Sequence, residues 1–66
     1  MIANDEELRA TLERIEWMQQ QLAHLRQVET NPDNFRASAA GFLAEIDRMN
    51  LDVREFLATH PAQLVP

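Results

Sequence analysis

"TNPDN", residues 30–34, is the one strong break in an otherwise helix-forming chain of 66 residues, combining a proline with two asparagines and an aspartate. It reads as the end of one helix and the start of another. Asn31 can cap the free N–H groups of a following helix, Pro32 fits the first helical position where its missing N–H costs nothing, and Asp33 stands near the positive end of the new helix dipole. Asn34 is a competing cap. A connection this short between two long helices makes them antiparallel neighbours.

Working upstream, "NDEEL" at 4–8 opens the first helix. Asn4 is a cap, Glu7 stands at the capping-box position, and three consecutive acids complement the dipole. Leu8, Thr11, Ile15, Met18, Leu22 and Leu25 then follow the alternating three-and-four spacing of a heptad seam, with Leu12 beside it. No glycine or proline interrupts residues 5–29. The pattern predicts one helix over about 5–29, roughly 37 Å long at 1.5 Å per residue.

Downstream, Phe42, Ile46, Met49, Val53 and Phe56 form the facing stripe, with Phe35 next to the turn. The second helix is expected over about 32–59, because His60 precedes Pro61 and that pairing drives the chain out of helical geometry. The seams pair in layers: Leu25 with Ala39, Leu22 with Phe42, Met18 with Ile46, Ile15 with Met49, Thr11 with Val53, and Leu8 with Phe56. The small run from Ala37 to Gly41 would let the backbones approach near the turn, offsetting the roughly 1 kcal/mol that Gly41 costs relative to alanine. The tail, residues 60–66, has no periodicity and reads as an extended or frayed end. The expected fold is therefore a single all-α domain, an antiparallel two-helix hairpin.

Several large apolar residues are left over by this hairpin. Leu43 and Leu57 widen the stripe of the second helix on one flank; on the first, Leu12 widens one flank while Trp17 and Val28 lie on the other. A single partner helix covers a seam and not so broad a face. A second hairpin, related by a two-fold axis, would complete a four-helix bundle, making Leu12, Trp17, Val28, Leu43 and Leu57 the candidate oligomer interface. Leu51 points away from the rest and is read as a solvent-exposed leucine. Leu64 and Val65 could fold back over part of the face.

Composition leads to the same expectation. A chain of this size buries only about 60% of the surface that its unfolded form exposes, and small scaffolds usually need a disulfide, a metal or a partner. There is no cysteine, and only His24 and His60 could supply imidazole ligands. These fall near opposite ends of the hairpin, about 30 Å apart at 1.5 Å per residue, so one chain cannot bring them to a shared metal. Association is the remaining aid, and no cofactor is expected.

Eleven acidic residues against six arginines give a net charge of −5. That balance repels nucleic-acid phosphate and anionic lipid, and no basic cluster overrides it. No apolar run approaches the roughly 18 residues of a membrane span. "MIANDEEL" is acidic where a signal peptide would be basic and then apolar, so the cytoplasm is the expected compartment. Cysteine, lysine and tyrosine are absent, Ser38 lies in a run of small helical residues, and the residue three before His24 is Gln21 rather than the glutamate of a bundle metal site. An enzyme is not expected. Most acids read as a solvated face, with pairs such as Asp5–Arg9 and Glu45–Arg48 adding a few tenths of a kcal/mol each.

The stretches "MIANDEELRATLERIEWMQQQL" and "NFRASAAGFLAEIDRMNLDVREFL" resemble the helical N-terminal segment that precedes the helix-turn-helix domain in some antitoxin-like bacterial regulators. The likeness rests on Met1, Ile2, Asn4, Asp5 and Thr11, and on the pairs Glu45–Ile46 and Glu55–Phe56, over about residues 1–58. It implies an oligomerising or partner-binding helical module connected with a toxin–antitoxin or mobile-element system. The DNA-binding domain of those regulators has no counterpart in these residues, so a repressor role does not carry over. The expectation is a non-catalytic, homodimeric interaction protein; the alternative is a small acidic inhibitor or antidote that binds a different protein through the same hydrophobic face.

Overall fold

The computed structural model describes the backbone of residues 1–64 and the side chains of residues 1–62. It contains two long helices, α1 (Asp5–Val28) and α2 (Pro32–Leu57), followed by a short 3-10 turn, Pro61–Leu64. The helices pack against each other as a hairpin, and no strand is found among the described residues.

Each helix start is explained by its own polar groups. Asn4 Oδ1 accepts the Glu7 N–H at 2.8 Å, and Glu7 Oε1 accepts the Ala3 N–H at 3.3 Å. The glutamate thus reaches one residue beyond the cap itself, a variant of the reciprocal capping arrangement. At the turn Asn31 is the cap of α2, its Oδ1 accepting the N–H groups of Asp33 at 2.9 Å and Asn34 at 3.3 Å. Asn34, the competing cap, lies inside α2. Glu29 closes the connection from the other side: its N–H donates to the Leu25 carbonyl at 3.0 Å, and its Oε1 accepts the Asn31 N–H at 3.0 Å.

α2 stops at Leu57, two residues short of the expected end. Beyond it the Thr59 hydroxyl donates to the Glu55 carbonyl at 2.9 Å. Where the lack of periodicity predicts an extended or frayed end, residues 61–64 form a short 3-10 turn. Pro61, with its fixed φ, starts a 3-10 turn, and His60 Nδ1 accepts the Ala62 N–H at 3.0 Å. The expected fold-back of Leu64 and Val65 lies outside the described residues.

The core is small and sits toward the open end of the hairpin. Ile15, Ile46, Met49 and Val53 are buried together, with Ile2, Leu8 and Met18 packed against them. Among the described residues Ala39 is the further buried one, on the turn side. There Leu22, Leu25, Phe35 and Phe42 are only half-buried, as is Phe56 at the other end. The reason is geometric: one partner helix shields the centre of a seam but not its edges. Gly41 is not a close-packing residue, contrary to expectation: a Cβ placed on it would meet nothing within 4 Å.

The molecule measures 52 × 16 × 12 Å. The radius of gyration is 15.2 Å, against about 11 Å for a compact domain of this length. The hairpin is a single layer of helices.

Candidate protein-interaction face

The candidate face is built by residues that the seam leaves outside. Leu12, Trp17, Val28, Leu43 and Leu57 are all exposed, together with Leu51 and Met1. Their directions follow from helix geometry with the buried residues as the reference. At about 100° per residue, Leu12 lies roughly 90° round α1 from the seam, and Leu43 lies roughly 90° round α2 in the same rotational sense. Because the helices are antiparallel, the same sense of rotation brings both residues to the same side of the hairpin. Leu57 is displaced the same way, one turn beyond Val53. Leu12, Leu43 and Leu57 therefore share one side.

Trp17 and Val28 do not join them. Each is turned more than roughly 100° from the α1 seam in the opposite sense, onto the outer surface of that helix. Leu51 is on the outer surface of α2, nearly opposite its seam. The residues grouped as one candidate interface thus form a three-leucine side and a separate outer patch around Trp17.

The two broad sides of the hairpin differ in how they are already used. On the side away from Leu12 and Leu43, the N-terminal arm lies against α2, and Met1, Ile2, Asp52, Glu55, Phe56 and Thr59 line a cleft of about 200 Å³. The Met1 amino group is 3.5 Å from Asp52 Oδ2, and Arg48 Nη1 is 3.4 Å from the same oxygen. Arg48 also forms a two-nitrogen contact with Glu45. The hydrogen-bonded Arg48 guanidinium holds the Glu45 carboxyl below the ordinary carboxylate range against the opposing effect of desolvation, with added attraction from the charges of Arg48 and Arg14. Ile2, which belongs to this side and packs on the core, is not among the core residues that the sequence pattern predicts. Its signal is an apolar residue just ahead of a helix cap, close to the hydrophobic-staple position.

On the three-leucine side the charged residues are of both signs. By the same helix geometry Arg26, Arg36, Arg54 and Asp5 lie on that side, and Arg9, Glu16 and Asp47 at its outer edge, roughly 130–150° from the seam. Among the described residues, Arg9, Arg54 and Asp47 form no ion pair within the chain, and Glu16 accepts only from Gln20 Nε2 at 3.5 Å. The expected Asp5–Arg9 pair is not formed; Glu45–Arg48 is, along with Asp33–Arg36 at 3.2 Å.

Chemistry beyond packing is sparse among the described residues. No three His, Cys, Asp or Glu side chains gather where they could hold a metal, and no helix is long and apolar enough to cross a membrane. No family model matches this chain, and neither a curated protein nor a solved structure was found to match it.

Proposed function

We propose that this protein is a non-catalytic interaction module that acts as a homodimer, two hairpins completing a four-helix bundle. One observation carries the reading. The chain exposes 5350 Å², whereas a compact folded monomer of its 7.6 kDa mass is expected to expose about 4,300 Å². The excess, about 1,000 Å², is close to the roughly 800 Å² that each partner contributes to a standard protein interface. Folded domains are built from at least two packed layers, and a single layer with three leucines on one side supplies half of such a structure. The resemblance to helical segments of antitoxin-like regulators fits an oligomerising role of this kind.

Sedimentation equilibrium over a wide concentration range tests the proposal. The expected mass at high concentration is twice the 7.6 kDa of the chain, and the melting temperature should rise with protein concentration, because association stabilises the folded state by mass action. A folded species that stays monomeric at every concentration would refute it. The leucine side would then belong to the alternative, binding of a different protein.

A further inference from the structure

We infer that the two copies dock antiparallel through the Leu12, Leu43 and Leu57 side, α1 lying across α1 and α2 across α2, with the two-fold axis passing beside Leu12 and Asn50. This rests on the self-association proposed above and specifies its face and orientation.

Two two-fold arrangements can bring this side of one hairpin against the same side of another. In the parallel one the axis runs along the hairpin, and α1 of one copy faces α2 of the other at the same height. The hairpin register then sets like against like: Arg9 faces Arg54, Glu16 faces Asp47, and Arg26 faces Arg36. Leu43 meets Gln19, and Leu12 meets Asn50. Each of these three charged levels is repulsive, and Leu43 and Leu12 oppose polar groups.

In the antiparallel arrangement the axis crosses the hairpin, and each helix faces its own copy in reverse. Centred on Asn50, α2 sets Leu43 against Leu57 of the second copy and Arg54 against Asp47. Centred on Leu12, α1 sets Leu12 against itself and Arg9 against Glu16. The copies overlap over the open half of each hairpin, α1 up to about residue 19 and α2 from about residue 43, with Arg26 and Arg36 beyond the overlap; all three leucines of the side are used, and both rim pairs within it are of opposite charge.

Each helix has its own centre, yet a single axis must serve both. It does: Ile15, Ile46, Met49 and Val53 are buried in one cluster, and the antiparallel register that sets Ile15 level with Met49 puts Leu12 and Asn50 at nearly the same height, about 3 Å apart at 1.5 Å per residue. The arginines and acids that would pair across the axis, Arg9, Glu16, Asp47 and Arg54, are among the charged side chains that form no ion pair within their own chain among the described residues. Rim pairs of this kind set orientation more than affinity. The net charge of −5 is concentrated on the remaining surfaces, so this side is the one on which two copies do not repel. The opposite side already holds the N-terminal arm and the Arg48 cluster.

Because the chain has no cysteine, single cysteines placed in the full-length protein report the orientation directly. Asn50 is exposed, so Asn50→Cys leaves the core untouched. Treated with a short bifunctional thiol reagent at concentrations where the wild-type chain is dimeric, Asn50→Cys should link to itself far more efficiently than Gln20→Cys, which lies on the outer surface of α1. A mixture of Glu16→Cys and Asp47→Cys chains should give no linked pair above that control. Linking of the mixture without self-linking of Asn50→Cys would establish the parallel arrangement and overturn the inference. A dimer in which neither links would place the interface elsewhere, overturning the inference but not the self-association. A wild-type chain that is monomeric throughout would overturn both.

Discussion

Leu12 on α1 and Leu43 on α2 are each 47% exposed and turn to the same side of the hairpin, though 31 positions separate them in the chain. Two large apolar side chains left half in water on one side of a single-layer structure mark where further burial is to be gained.

Replacing Leu43 and Leu57 by glutamate should therefore dissociate the dimer. Burying a leucine is worth about 1.5–3 kcal/mol, and roughly 1.4 kcal/mol is tenfold in affinity, so the double substitution should weaken association by about a hundredfold or more. Trp17→Glu, on the outer surface of α1, should leave the sedimentation mass unchanged. The reverse pattern would assign the interface to the tryptophan patch.

The core has little redundancy. Ile46→Ala removes buried volume from the cluster of Ile15, Met49 and Val53, a change that costs about 2–5 kcal/mol in ordinary cores. In a chain with so few buried residues this should abolish the cooperative thermal transition seen by circular dichroism. Ile46→Val, costing about 0.5–1.5 kcal/mol, should only lower its midpoint.

Gly41 offers the opposite change. Its φ is not positive and nothing lies within 4 Å of an added Cβ, so Gly41→Ala should stabilise the protein by up to about 1 kcal/mol, read by chemical denaturation. A loss of stability would mean that something outside the chain approaches the backbone there.

The cap at the turn is similarly accessible to test. Asn31→Ala removes the acceptor of two N–H groups and should cost about 1 kcal/mol. Asn31→Asp keeps the acceptor and should restore most of it.

Glu45 links stability to acid. Its carboxyl is held below the ordinary range first by the Arg48 hydrogen bond, so the unfolded chain takes up this proton more readily than the folded one. Its stabilising contribution is full above the ordinary carboxylate pKa and is lost as pH falls through the lowered one. Denaturation at neutral pH and at about pH 3 should show a smaller acid-induced loss for Glu45→Gln than for wild type. An equal loss in both would show that the Arg48 contact does not contribute.

The helices and the hairpin were legible because their signals are local: Asn4 and Asn31 as caps, Pro32 at a first turn, and an unbroken three-and-four spacing between them. The seam was legible for Ile15, Ile46, Met49 and Val53, which the partner helix covers. Leu22, Leu25, Phe35 and Phe42 have the same spacing but remain half-buried, since periodicity names a direction and not the amount of cover found there. Ile2 was missed because it precedes the helix whose period would have flagged it. Gly41 was misjudged because small size permits close approach without requiring it. The division between the Leu12 side and the Trp17 patch needs only the angular step between residues, and it emerges once the buried residues fix the zero of rotation on both helices.

Trp17 has a practical consequence at the bench. It is the only tryptophan, and its side chain is 58% exposed in the folded chain, so its emission should stay near that of an indole in water whether the hairpin is folded or melted, single or paired. Fluorescence will be a poor thermometer for this protein while circular dichroism remains a good one. The same insensitivity makes the indole a quiet background against which any molecule that settles on the outside of α1 would announce itself by shifting the emission to the blue.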